Sequence, residues 1–190
     1  MFILAVAIAA YLIGSFPTAY VIGKQARGID ISKNGTGNVG AMNAYEVTGS
    51  KMIGIAVGAI DIMKGTVATS LAEYALGPTA GIVAAFFTVL GHNYSIFLRF
   101  KGGRGLATAA GALLVIQPLC VAIYVVVYSI LRLARLRLYL ASVSGILIAG
   151  TPLAITFAKM PVIEIFGALL LIAVLSKHLV PLRNELRNGL

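Results

Sequence analysis

Apolar runs dominate this chain and leave it few folds to choose from. Its charged residues fall into short clusters. The stretches between them, roughly 2–23, 52–75, 79–98, 105–117, 119–131, 138–158 and 161–177, are built mostly from Ala, Ile, Leu, Val, Phe and Gly. Runs of this kind are read as membrane-spanning helices, since a helix satisfies its own backbone in hydrocarbon. Charged residues make up 11% of the sequence, against about 25% in a soluble domain. Strict alternation, the mark of a membrane β-barrel, is absent. The expected fold is all-α: one polytopic membrane domain over residues 1–190 with about seven transmembrane helices.

Charge sets the expected topology. The net charge is +9, which in a soluble protein suggests nucleic acid but here fits anionic lipid and the positive-inside rule. Residues 105–131 form either one span or two short ones divided at Gln117-Pro118. With two spans, 13 of the 15 cations fall on one side, Lys64 lies inside a span, and Lys159 alone faces the other way. The two-span arrangement is therefore preferred, with the N-terminus outside, the C-terminus cytoplasmic and a bacterial inner-membrane location. Met1-Phe2-Ile3 lacks a basic leader, so the first span is expected to be retained. Cys120 lies alone in an apolar run, and no Cys/His cluster has metal spacing, so neither metal nor cofactor is expected.

Two glycine-rich loops share the cytoplasmic side of this topology. The first, Gly35-Thr36-Gly37-Asn38-Val39-Gly40, lies in the polar stretch 24–51; the second, Lys101-Gly102-Gly103-Arg104-Gly105, runs straight into a helical pattern. Glycines let successive N–H groups converge on an anion, and a helix starting there adds its positive end. Lys101 and Arg104 contribute full charges, and Thr108 follows one turn later. The expected chemistry is phosphate binding. The plainer alternative is a basic turn against lipid headgroups, since no Walker A pattern is present.

Within the spans, Asp61 and Lys64 share a helix face at a spacing of three. They read either as a structural ion pair or as part of a functional interior. Pro17 implies a kink in the first span, with Ser15 and Thr18 as candidates to satisfy the freed backbone. His92 and His178 both fall near the cytoplasmic face, where a histidine can orient a substrate or act as a base.

Four segments, GSFPTAYVIGK, IDISKNGTGNVGAMNAY, DIMKG and GHNYSIFLRFKGGRGLAT, occur in that order. Together they resemble the bacterial acyl-phosphate:glycerol-3-phosphate acyltransferase family (PlsY type), closely over residues 14–111 and by span pattern elsewhere. The resemblance implies a seven-span membrane enzyme that moves an acyl group from acyl phosphate to glycerol 3-phosphate. The product is lysophosphatidic acid, in the first step of phospholipid synthesis. Its implied partners are the two substrates, membrane lipid and the soluble enzyme that makes acyl phosphate. It implies catalytic roles for Thr36, Asn38, His92 and His178. Phosphate contacts are implied for Gly35, Gly37, Gly40, Asn43, Lys101, Gly102, Gly103, Arg104, Gly105, Thr108 and Ser142.

Three departures stand out. Glu46 occupies the place of a family arginine, Arg104 replaces a lysine, and after His178 the family Glu and Asn are out of register with Asn184 and Glu185. Arg27, Arg137 and Arg183 are candidates to replace the lost charge. Two rival readings are an altered or inactive paralogue and a membrane transporter of an organic phosphate or lipid. Against the transporter, no inverted repeat is visible.

Overall fold

A computed structural model describes residues 2–157 and 160–187, so Lys159, the expected outer-face cation, lies outside the described residues. Among the described residues ten α-helices run in order: α1 (Phe2–Ser15), α2 (Thr18–Arg27), α3 (Ala41–Thr48), α4 (Lys51–Leu76), α5 (Pro78–Asn93), α6 (Leu106–Ile116), α7 (Pro118–Leu133), α8 (Leu138–Ala149), α9 (Thr151–Phe157) and α10 (Pro161–Arg187). Among the described residues five stretches are long and apolar enough to cross a membrane: 2–27, 51–76, 78–98, 138–156 and 161–187. The remaining apolar helices, α6 with 11 residues and α7 with 16, are shorter than that. At 1.5 Å per residue, α6 rises about 16 Å, roughly half the ~30 Å hydrocarbon thickness.

The helices break where proline and glycine demand it. The expected first span is two helices, because Pro17 removes a donor between α1 and α2. The expected span 138–158 is divided at Gly150, just before Pro152. The last helix continues well past residue 177 and passes through Pro181. The polar stretch 24–51 is largely ordered: it holds the end of α2, a 3₁₀ turn at Ile31–Lys33 and α3.

Helix α5 lies at the centre, packed against α1, α4, α6 and α10. Small residues allow close approach, as is usual in lipid, where apolar burial alone does not hold helices together. A Cβ on Gly91 of α5 would overlap the Tyr11 carbonyl of α1, and one on Gly65 of α4 would overlap the Thr108 carbonyl of α6. Thr66 adds an inter-helix hydrogen bond, its hydroxyl donating to the Gly111 carbonyl at 3.0 Å.

The break at Pro17 is satisfied by different residues from those expected. The hydroxyls of Ser15 and Thr18 have no partner among the described residues. Instead the Lys64 ammonium donates to the carbonyls of Phe16 (2.9 Å) and Gly14 (3.4 Å), and the Ser95 hydroxyl donates to the Ser15 carbonyl at 2.5 Å. Proximity in sequence suggested local repair; the freed carbonyls instead face α4 and the end of α5, whose longer or better-placed donors reach them.

Candidate active site

The basic glycine loop is fastened to the end of α5. Its Gly103 N–H donates to the His92 carbonyl (2.9 Å) and its Gly102 N–H to the Asn93 carbonyl (3.2 Å). These two amides therefore cap α5, rather than standing open as a nest. The same approach explains the glycines. A Cβ on Gly102 would strike the His92 carbonyl, and one on Gly103 would strike His92 Nε2. Upstream, Arg99 and Phe100 hold left-handed backbone at φ 53° and 62°, which is unfavourable for residues with side chains. Amides with no carbonyl partner among the described residues begin at Arg104 and continue through the first turn of α6. That turn, with Gly105 at its cap, is where an anion finds donors and helix dipole together. Thr108, fully buried in the same turn, has a hydroxyl without a partner among the described residues.

Asp61, Lys64 and His92 form one buried group beneath this loop. Asp61 Oδ1 lies 2.8 Å from Lys64 Nζ and 3.7 Å from His92 Nδ1. Lys64 in turn reaches the broken first helix, and His92 Nε2 lies against Gly103. A continuous line of contacts thus runs from the Pro17 break through Lys64, Asp61 and His92 to the glycine loop. The sequence showed the Asp61–Lys64 pair but not that His92 joins it.

Arg104 is the half-buried cation of the loop, while Lys101 is exposed. Arg104 donates to the Tyr139 hydroxyl at 2.6 Å, with its guanidinium carbon 4.8 Å from the centre of the Tyr139 ring. Tyr139 is the second residue of α8, whose first amides are capped by Glu185: its carboxylate accepts from Tyr139 N (3.0 Å) and Leu140 N (3.1 Å). Arg137 donates to the Glu185 carbonyl at 2.9 Å. Glu185 therefore has a place as a cap, and Asn184 beside it is exposed. One turn further along α8, buried Ser142 shares a hydrogen bond with Tyr124 at 3.2 Å. His178 is buried in α10 with Nδ1 2.8 Å from the Val174 carbonyl. A carbonyl can only accept, so this nitrogen carries a proton. Neither Tyr139 nor the Glu185 cap was legible from sequence, because nothing in the chain order marks α8 and α10 as meeting there.

The first glycine loop is held from within by Asn43 of α3. Its amide donates to the carbonyls of Ile31 (3.2 Å) and Asn34 (3.1 Å), and its oxygen accepts from Thr36 N (2.9 Å). With these atoms committed, Asn43 shapes the loop. Gly35 (φ 59°) and Gly37 (φ 70°) take left-handed backbone there. A Cβ on Gly40 would press on the Asn38 amide. Thr36 is exposed, and its hydroxyl accepts from Asn38 N at 3.4 Å. Asp30 anchors the near end by accepting from Ser32 N and Oγ, and the Ser32 hydroxyl holds its carboxyl below the ordinary range. Glu46 is exposed on α3. Leu98, just before the second loop, packs against the Ile31–Val39–Ala44 cluster, which brings the two glycine loops together.

Below the second loop lies an apolar cavity of about 470 Å³ between α6, α7, α8, α9 and α10. Leu106, Ile146 and Val174 line its loop end; Ile163 and Glu164 line the far end. Ser142 is one helical turn from the lining residue Ile146, and His178 one turn from the lining residue Val174. Cys120 is part of the wall.

The fold is shared with known proteins. The solved structure of PlsY, an integral membrane glycerol 3-phosphate acyltransferase, in its glycerol 3-phosphate form superimposes with a TM-score of 0.88 at 28% identity. That match covers 99% of this chain and 94% of the other. The lysophosphatidic acid form gives a TM-score of 0.86 at 27% identity, over 99% and 93% of the two chains. Glycerol-3-phosphate acyltransferase 2 of Moorella thermoacetica is 50% identical over 119 residues, which are 63% of this chain and 60% of that protein. The match thus spans less than two thirds of that relative's length. The Bacillus velezensis glycerol-3-phosphate acyltransferase is 37% identical over 179 residues, 94% of this chain and 91% of the other. The family model described as glycerol-3-phosphate acyltransferase matches residues 4–188. Fold and sequence agree: the chain is an integral membrane member of the glycerol-3-phosphate acyltransferase family.

Proposed function

We propose that the protein transfers a fatty acyl group from acyl phosphate to glycerol 3-phosphate. The observation that carries this reading is the apolar cavity that reaches Leu106 in the first turn of α6, directly after the loop that holds Arg104. Such a site suits a molecule with an anionic head and an alkyl tail. The acceptor hydroxyl attacks the acyl carbonyl, the carbonyl–phosphate bond breaks, and an ester forms. The hydroxyl proton is balanced on the released phosphate, giving lysophosphatidic acid and inorganic phosphate. Acyl phosphate is already activated, so the protein's part is positioning and charge stabilisation.

In this reading the acceptor phosphate meets Lys101, Arg104, Gly105 and the first turn of α6 with Thr108. Gly102 and Gly103 shape that turn. The first loop, with Gly35, Thr36, Gly37, Asn38 and Gly40 held by Asn43, receives the donor phosphate. Ser142 and His178, each one turn beyond a cavity-lining residue, lie beside the acyl carbonyl. His92 supports the acceptor loop through Gly103, and the proton passes to a histidine or to a substrate phosphate. The chain is a single domain. Helices α6 and α7 count as two short crossings, which gives seven spans with the N-terminus outside and the C-terminus in the cytoplasm of a bacterial inner membrane. The soluble enzyme that makes acyl phosphate is its supplier.

Ala168 lines the cavity about midway along the part of α10 that faces it, between Ile163 and Val174. Ala168→Phe is expected to raise KM for long-chain acyl phosphates about tenfold, a loss of ~1.4 kcal/mol, and to leave short-chain donors nearly unchanged. Steady-state assays in lipid nanodiscs over a donor series test this. Equal effects on all chain lengths would place the tail elsewhere.

A further inference from the structure

We infer that Tyr139 is a positioning residue for Arg104, and that Glu185 fixes Tyr139 in turn. The inference rests on the acceptor-phosphate role proposed above for Arg104. A guanidinium has five N–H donors in a rigid plane, and an arginine on a loop otherwise samples many rotamers. Here Tyr139 constrains it twice. The hydroxyl accepts one N–H at 2.6 Å, and the ring lies 4.8 Å from the guanidinium carbon. These contacts fix both the direction and the tilt of the plane, leaving the other N–H groups for an anion at the start of α6.

Tyr139 can do this because its backbone is itself anchored. It is the second residue of α8, a position that would otherwise fray. The Glu185 carboxylate accepts from the amides of Tyr139 and Leu140, and Arg137 donates to the Glu185 carbonyl. The carboxylate also compensates the positive end of α8. The end of α10 thereby sets the start of α8, and Tyr139 passes that geometry to the glycine loop. Three segments far apart in sequence meet in this way, at 104, 139 and 185.

The consequence is a coupling specific to the acceptor. Tyr139→Phe keeps the ring and the Glu185 cap and removes only the hydroxyl. It is expected to raise KM for glycerol 3-phosphate about three- to tenfold, as loss of one hydrogen bond to a charged group does. The change in kcat should be under about twofold, and the melting temperature should not move. Introduced into Arg104→Ala, the same substitution should add nothing further, since the group it aims is gone. Glu185→Gln should raise the same KM in the Tyr139 protein and not in Tyr139→Phe.

The experiment is a double-mutant cycle on purified full-length protein in nanodiscs, with acyl phosphate saturating and glycerol 3-phosphate varied. A raised KM in Tyr139→Phe that disappears in the Arg104→Ala background supports the inference. An unmoved KM, or the same fold-rise in both backgrounds, overturns it while leaving the acyl transfer reading intact. A native protein that forms no product overturns that reading and this inference together.

Discussion

Gly103→Ala is expected to lower turnover by about 100-fold while leaving the helical bundle folded. The added methyl would lie on His92 Nε2, with His92 Cε1 and Cδ2 within 2.9 and 3.0 Å. The imidazole is buried and held from behind by Asp61, 3.7 Å from its Nδ1. Ring and loop must therefore move apart, and the Gly103 N–H bond to the His92 carbonyl is strained with them. A shift of that order at a positioning loop costs rate far out of proportion to its size. Steady-state kinetics alongside a thermal melt tests the point. Full activity with a normal melt would show that the loop geometry is not needed for transfer. Gly102→Ala should be more damaging still, because its methyl meets rigid backbone of His92 and Asn93 rather than a side chain.

Lys64→Ala should destabilise the protein by about 3–5 kcal/mol. The substitution leaves the carboxylate of Asp61, 2% exposed, without its ammonium, and takes the side-chain donor from the carbonyls of Gly14 and Phe16, the latter keeping only the Thr18 N–H. A buried pair replaced as a unit behaves differently: apolar residues of similar volume are often neutral for stability. The combined Lys64→Met and Asp61→Leu protein should accordingly melt near the native temperature. Its turnover should still fall at least tenfold, or ~1.4 kcal/mol, since His92 has lost the carboxylate behind it. Thermal melts and turnover measured on the same preparations separate the two roles. If the double variant melts and turns over normally, the pair serves packing alone.

How much of this was legible in the chain follows from what is local. The apolar runs gave the long helices, because length and hydropathy are properties of contiguous sequence. Pro17 was visible as a disturbance, but its consequence was not. Which donor reaches a freed carbonyl depends on the neighbours across the gap, and these were Lys64 and Ser95. The second glycine loop was visible as a basic turn leading into a helix. That Gly102 and Gly103 spend their amides on α5 required knowing where α5 ends relative to α6. Resemblance to the family placed Asn43 among the phosphate contacts. In the fold it faces inward and staples them. Glu185 lay out of register with the expected motif and turned out to cap α8, a contact spanning 46 residues to Tyr139. Sequence spacing within one element was informative, and pairing between elements was not.

Glu46 remains the departure that bears most on chemistry. It is exposed on α3 rather than buried against the loops, so its charge is screened by water and weighs less on a bound phosphate than a buried carboxylate would. Arg137, a candidate to replace the missing charge, is engaged with the Glu185 carbonyl. Arg104, half-buried and aimed by Tyr139, is the better-placed cation.

The most direct test of the central claim is product formation by the native protein. Purified protein in nanodiscs receives acyl phosphate and radiolabelled glycerol 3-phosphate, and the lipid fraction is separated and counted, with released inorganic phosphate measured in parallel. The account predicts labelled lysophosphatidic acid and phosphate in equal amounts, dependent on both substrates. Folded protein that yields neither, or that releases phosphate without labelled lipid, would contradict it.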